Sequence, residues 1–344
     1  LIQRLVPDVE KKGDAAHGRE LFATNCAACH QVAGVGGKVG PDLTGMGAHA
    51  ARDLLTAVLD PNRTVEPSLT DWVVETVDGR VFGGVLARDS TDSILLRWSG
   101  GEEEVSRADI ESLRNTRRSP MPTGFESLGA TALRDLFAYL AAGTEGFRVL
   151  DLSALATANS HVALYDTQRD PKPMRFSKYG IVRAFDVPFE ILSPERASSG
   201  CNAIVLKGGP YATWECKSRR PQRVEIPVGL KVAKVHVLGG IAAFGYPYIR
   251  EPKDALKWTW VHEDGATESV VLKNGVEIGD WIRRSDVPGS KYVEGLLAEE
   301  SYGEVRYHAL APSMNSPVRS IVLESFDNEL APTIFALTVE LAGK

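Results

Sequence analysis

The chain has 344 residues, 24% of them charged and 43% hydrophobic, and a formal net charge of −6 at pH 7. That length accommodates about two domains of ordinary size, and the composition is ordinary for a globular protein. No basic block or stripe marks a nucleic-acid partner, and no stretch approaches the roughly 18 uninterrupted apolar residues of a membrane-spanning helix.

Residues 1–12, with Pro7 and the paired Lys11 and Lys12, read as a linker. The chain begins at Leu1 rather than Met and has no signal-peptide pattern, so the expectation is a processed product or a piece of something longer. Asp14 is the expected N-cap of a helix through Gly18, Leu21, Phe22 and Asn25. That helix runs into Cys26-Ala27-Ala28-Cys29-His30. Two cysteines two residues apart, followed at once by histidine, can form two thioether bonds to a haem while the imidazole takes its iron from one side. A structural zinc site would need a second ligand pair at close spacing, whereas Cys201 and Cys216 are distant and fifteen apart. A thioredoxin-like pair would need a preceding strand where this chain has a helical pattern.

The five residues therefore read as the attachment site of one covalent haem c, through Cys26 and Cys29, with His30 as an iron ligand. The glycine-rich run from Gly34 to Leu43 fits close backbone approach to a flat cofactor better than phosphate cradling. Covalent haem is attached after export, which places the expected location in a periplasm or on a cell surface. A second helix, about Ala50 to Leu59, puts Leu54, Leu55, Val58 and Leu59 at helical spacing and stops at Pro61; Leu54 and Leu55 are expected to wall the pocket. Residues 70–108 change to strand period, with turns at Asp78-Gly79 and Gly100-Gly101, and read as two hairpins. A last helix carries Leu133, Leu136, Phe137 and Leu140 on one stripe and ends at Gly143.

These features resemble class I c-type cytochromes. In that family a glycine and an aromatic on the first helix cross a leucine and an aromatic on the last; Gly18, Phe22, Leu136 and Tyr139 match. The resemblance implies that the Pro41 carbonyl orients the His30 imidazole and that Leu43 packs on the haem. It also implies an axial methionine one loop before the last helix, where Met121 stands in Ser119-Pro120-Met121-Pro122. No lysine or threonine leads into Met121 as in many relatives. Met46 reads as pocket lining, and His17 and His49 are alternative ligands that would give bis-histidine iron. The strands inserted before the methionine are similar to those of the haem-binding module in planctomycete and verrucomicrobial multidomain proteins. That narrower resemblance covers about residues 13–145.

From about residue 149 short strand-like runs recur with turn punctuation, among them 180–187, 203–206, 223–228, 233–238, 257–261, 269–272, 305–309, 319–324 and 333–341. The expectation is an all-β antiparallel sandwich, jelly-roll-like, over residues 149–344. In strand pattern it resembles galactose-binding-like carbohydrate modules. Trp258 and Trp260 share one face of a strand and read as core, whereas Gly239 to Tyr248 reads as a loop with exposed aromatics, the first place for a sugar. Tyr211, Trp214 and Trp281 are further candidates, and Cys201 with Cys216 is read equally as a disulfide or as two thiols. His161, His236, His262 and His308 are scattered without ligand spacing, and no nucleophile context emerges.

The fold class expected is thus multidomain: a linker (1–12), an all-α cytochrome-like domain with inserted β-hairpins (13–146) and the β-sandwich. The leading functional reading is an electron carrier rather than an enzyme, with redox proteins as partners and the sandwich docking it to carbohydrate or protein. The alternatives are a protein that is mainly a glycan-binding or adhesion module whose cytochrome serves a tethered oxidoreductase, and a five-coordinate haem enzyme or gas sensor.

Overall fold

The computed structural model describes residues 1–141, 144, 146–162, 164, 173–195, 197, 199–209, 220–243, 252–282, 286–326 and 328–342. The chain divides into two compact units, Leu1–Glu145 and Gly146–Lys344. Among the described residues no helix is long and apolar enough to cross a membrane.

The first unit opens with helix α1 (Ile2–Val9), a correction to the linker expected over residues 1–12. Ile2, Leu5, Val6 and Val9 recur at helical spacing, and that stripe packs into the helical core with Val9 buried. Pro7 hid the helix, since proline removes a backbone donor without preventing a short, tertiary-packed helix. Helix α2 (Ala15–Asn25) is capped by the Asp14 carboxylate, which accepts from the Ala16 and His17 amides. Strands β1 (Gln31–Val32) and β2 (Val35–Gly36) form a small hairpin after the motif, and helix α3 (Ala51–Leu59) follows.

Next come β3 (Asp71–Thr76), β4 (Val81–Asp89), β5 (Ser93–Trp98), β6 (Gly101–Ser106) and β7 (Ile110–Asn115). They form one antiparallel sheet in the order β6-β5-β4-β3-β7 around buried Val74, Ile94, Leu96 and Val105. The two expected hairpins are therefore part of a five-stranded sheet, and its last strand runs past residue 108 to Asn115. Helix α4 (Gly129–Leu140) completes the unit. Leu55 and Leu133 are fully buried where α1, α2, α3 and α4 meet, each worth about 1.5–3 kcal/mol of transfer free energy.

The second unit contains β8 (Phe147–Val149), the hairpin β9 (Gly180–Ala184) and β10 (Val187–Ile191), β11 (Ile204–Val205), β12 (Arg223–Leu230) and β13 (Val232–Ala243). These are followed by β14 (Asp254–His262), β15 (Thr267–Lys273), β16 (Lys291–Tyr292), β17 (Arg306–Leu310), β18 (Val318–Ser325) and β19 (Leu330–Leu341). One antiparallel sheet runs β11-β19-β13-β17-β16, with β8 also on β19; a second runs β12-β18-β14-β15. Both contribute to one apolar core, with Val235, Val237 and Leu337 from the larger sheet and Ile226, Trp258, Trp260 and Leu323 from the smaller. Leu238, Phe335 and Ala336 face a second core that includes Phe189 of β10 and Trp281. The larger sheet is thus buried on both faces, which is why β19 reads as an almost unbroken apolar run.

Trp258 and Trp260 lie in the core, 0% and 4% exposed, as their shared strand face requires. The loop expected from Gly239 is instead strand through Ala243, paired with β19. The register slips between Leu238 and Gly239, and a Cβ at Gly239 would sit 2.4 Å from the Thr333 carbonyl, so the glycine marks a bulge at close backbone approach. The rest of that run, with Tyr246 and Tyr248, lies outside the described residues, as do Tyr211, Trp214, Cys216 and Gly143.

Candidate functional site

The site is built where α2 gives way to the motif. The Cys26 amide donates to the Phe22 carbonyl, and the Cys29 and His30 amides both donate to the Cys26 carbonyl, so one tight turn carries all three side chains. The following loop folds back: Gly37 donates to the Ala27 carbonyl, and Val39 and Gly40 donate to that of Cys29. Side chains are excluded at two glycines of this return path. A Cβ at Gly37 would stand 2.1 Å from the Ala28 carbonyl oxygen, and one at Gly40 would stand 2.4 Å from Cε1 of His30.

His30 Nδ1 lies 2.9 Å from the Pro41 carbonyl, an acceptor only, so Nδ1 carries the proton and Nε2 keeps its lone pair. Nε2 has no hydrogen-bond partner among the described residues. Burial pushes the His30 pKa down, partly offset by the Pro41 carbonyl, which keeps the ring neutral. The two motif thiols are free and half-buried; burial, and then Cys29, push Cys26 up to about 11. Burial raises Cys29 as well.

An oriented imidazole with an open nitrogen, two thiols on the same turn and a loop held against them by glycines fit the donor set of a covalently attached haem. Cys26, Leu43 and Met46 pack against the apolar cluster that contains Leu54, Leu55, Phe22 and Leu136. Met121 is not in that cluster. It is half-buried in a cleft of about 460 Å³ lined by Asn62, Asp71, Arg118, Ser119, Pro120, Pro122 and Thr123, with its amide donating to Ser119 Oγ.

The helix crossing that frames the site depends on Gly18, where a Cβ would stand 1.9 Å from the Asp135 carbonyl oxygen. One turn on, the Phe22 and Tyr139 rings meet with centroids 5.5 Å apart. Sequence reasoning missed the polar pin at this crossing. Asp135 is buried within the apolar face of α4, yet its carboxylate accepts from His17 Nδ1 at 2.9 Å, the Asp14 amide at 3.0 Å and Arg134 Nε at 2.9 Å. Burial alone would raise its pKa; these donors outweigh burial and hold it at about 2. A carboxylate between Ala132, Leu133, Leu136 and Phe137 was the available signal. His17 is thereby engaged in a hydrogen bond across the two helices.

The histidines of the second unit also have structural settings. His161 meets Glu195, His236 meets Tyr307 and Glu340, and His262 meets Glu268 and Ser316. His308 is buried with neither ring nitrogen hydrogen-bonded, and burial pushes its pKa down to about 4. Among the described residues no group of three or more His, Cys, Asp or Glu side chains could hold a metal ion.

Residues 15–84 match the family described as cytochrome c. A protein from Arabidopsis thaliana named cytochrome c is 50% identical over 42 residues, 12% of this chain and 38% of that protein, so the match spans well under half of that relative. Among solved structures, the functional form of the mosquito-larvicidal Cry4Aa toxin from Bacillus thuringiensis aligns over 80% of this chain and 43% of that chain. At 9% identity and a TM-score of 0.24, that likeness carries no argument.

Proposed function

We propose, from the cytochrome c domain at residues 15–84, that the first unit is a mono-haem electron carrier with His30 and Met121 as axial ligands. The domain itself implies haem-based electron transfer and redox partners. The observation that supports the His30 assignment is its ring, held in the Nδ1–H tautomer by the bond to the Pro41 carbonyl and left with a free Nε2 on the turn that presents Cys26 and Cys29; Met121 rests on the sequence pattern. Bound there, a haem supplies a one-electron centre. Cys26 and Cys29 would fix it through two thioethers, His30 would ligate it in one tautomer, and Leu43, Met46, Leu54 and Leu55 would exclude water from it.

With His30 and Met121 both holding the iron, the centre would have no open site for substrate chemistry and would pass single electrons between partner proteins. The reading extends to a location outside the cytoplasm, because covalent attachment follows export. The second unit is read as a jelly-roll-like sandwich that docks the carrier to carbohydrate or protein. Support for docking is an open cleft of about 690 Å³ lined by Phe185, Asp286, Lys291, Tyr292 and Glu294, with Phe185 46% exposed.

The test of the ligand pair is Met121→Ala in protein matured with haem. The variant is expected to lose the weak far-red band of methionine-ligated ferric iron and, once reduced, to bind carbon monoxide rapidly. A spectrum and a carbon monoxide response identical to those of the parent protein would overturn the assignment of Met121.

A further inference from the structure

Arg97 links the sheet β3–β7 to the histidine loop. Arg97 on β5 directs Nη1 to the Lys38 carbonyl at 3.4 Å and Nε to Glu102 Oε2 at 2.9 Å. Glu102 is its cross-strand partner on β6. The position of Arg97 is set by close strand packing, because a Cβ at Gly84 on β4 would stand 2.5 Å from the Arg97 carbonyl oxygen. On the receiving side, Lys38 lies between Gly37 and Val39, whose amides are tied to the Ala27 and Cys29 carbonyls. Gly40, two residues on, abuts the His30 ring, and Pro41 orients it. The guanidinium therefore bears on the segment that fixes the two cysteines and the histidine, and the carboxylate beside it moderates its charge.

We propose that the sheet tunes the reduction potential of the centre held by His30, with Arg97 as a positioning and electrostatic group and Glu102 as its counterweight. The inference rests on the electron-carrier reading. A fixed cation favours the oxidation state with one less positive charge, the reduced one, and so raises the potential; a fixed anion lowers it. Arginine suits this task because it stays charged at every working pH and its planar fork serves two acceptors at once. Arg97 is 30% and Glu102 52% exposed at the side chain, so both effects are screened by salt.

The experiment is redox titration of the haem-loaded full chain as parent, Arg97→Gln, Arg97→Lys and Glu102→Gln, at low and high salt. The expected result is a downward shift of midpoint potential for Arg97→Gln and an upward shift for Glu102→Gln. Both shrink as the screening length falls from about 10 Å at 0.1 M to about 3 Å at 1 M. Arg97→Lys, which keeps the charge and loses the fork, stays nearer the parent. A merely structural role would move both neutral variants in the same direction. Same-direction shifts, or none, overturn the proposal.

Amide exchange supplies a second readout that needs no bound haem. Loss of one exposed hydrogen bond is expected to speed exchange at Gly37, Val39 and Gly40 in Arg97→Gln by about three- to tenfold, and unchanged exchange contradicts the contact itself. Chains that take up no haem in any variant count against the electron-carrier reading, whereas loaded chains with unmoved potentials count against this inference alone.

Discussion

The two units put their chemistry and their bulk in opposite places. In the first, the two cysteines, His30 and the carbonyl that orients it sit within the one segment from Cys26 to Pro41, and their geometry is set by local backbone bonds and by glycines where a side chain would collide. In the second, two large sheets and two apolar cores are assembled from strands far apart in sequence, and the histidines are mostly tied into hydrogen bonds. A short motif suffices where chemistry depends on adjacent residues. A large β core needs long-range pairing to exist at all.

The largest effect should come from the motif. Replacing both Cys26 and Cys29 with serine is expected to abolish haem that survives denaturing electrophoresis, read by haem staining, while the circular dichroism of the β-rich second unit persists. Loss of that β signal as well would break the distinction between the units. Next in size, Trp258→Ala empties a fully buried site and should cost about 3–5 kcal/mol. Calorimetry should show this as a lowered transition for the second unit, with the haem spectrum unchanged.

Acid separates the units further. His308 titrates near 6.5 when unfolded and at about 4 when buried, so the unfolded chain binds more protons between those values. Burying the neutral ring carries no charging penalty above pH 6.5, and folding stability is expected to fall by up to about 3.5 kcal/mol, at about 1.4 kcal/mol per unit, as the pH drops from 6.5 toward 4. Denaturant melts of the second unit across that window should show the loss, and His308→Leu should flatten it. Asp135 behaves as a depressed carboxylate, from 3.8 to about 2. Its stabilisation, about 2 kcal/mol, is present above pH 4 and lost between about pH 4 and 2. Asp135→Asn should remove that dependence from the first unit, as read by the pH profile of its melting.

Where spacing within one element carries the information, the chain was legible. The Asp14 cap, the stripes of α3 and α4, the motif and the tryptophan pair of β14 all depend on residues a few positions apart. Distance and ambiguity hid the rest. Helix α1 carries an apolar stripe interrupted by proline, and the Gly239-Gly240 pair looks like a turn until β19 is alongside. Asp135 meets His17 across 118 positions, and Arg97 reaches Lys38 across 59. Only folded packing makes such pairs neighbours.

The most direct test of the central claim is the visible spectrum and intact mass of the full chain, matured in cells able to attach haem and then extracted with acid acetone. The account predicts that the haem absorption stays with the protein and that the mass exceeds the polypeptide by one haem, with the adduct mapped to the peptide bearing Cys26 and Cys29. A polypeptide that emerges colourless, at its bare mass, would contradict it.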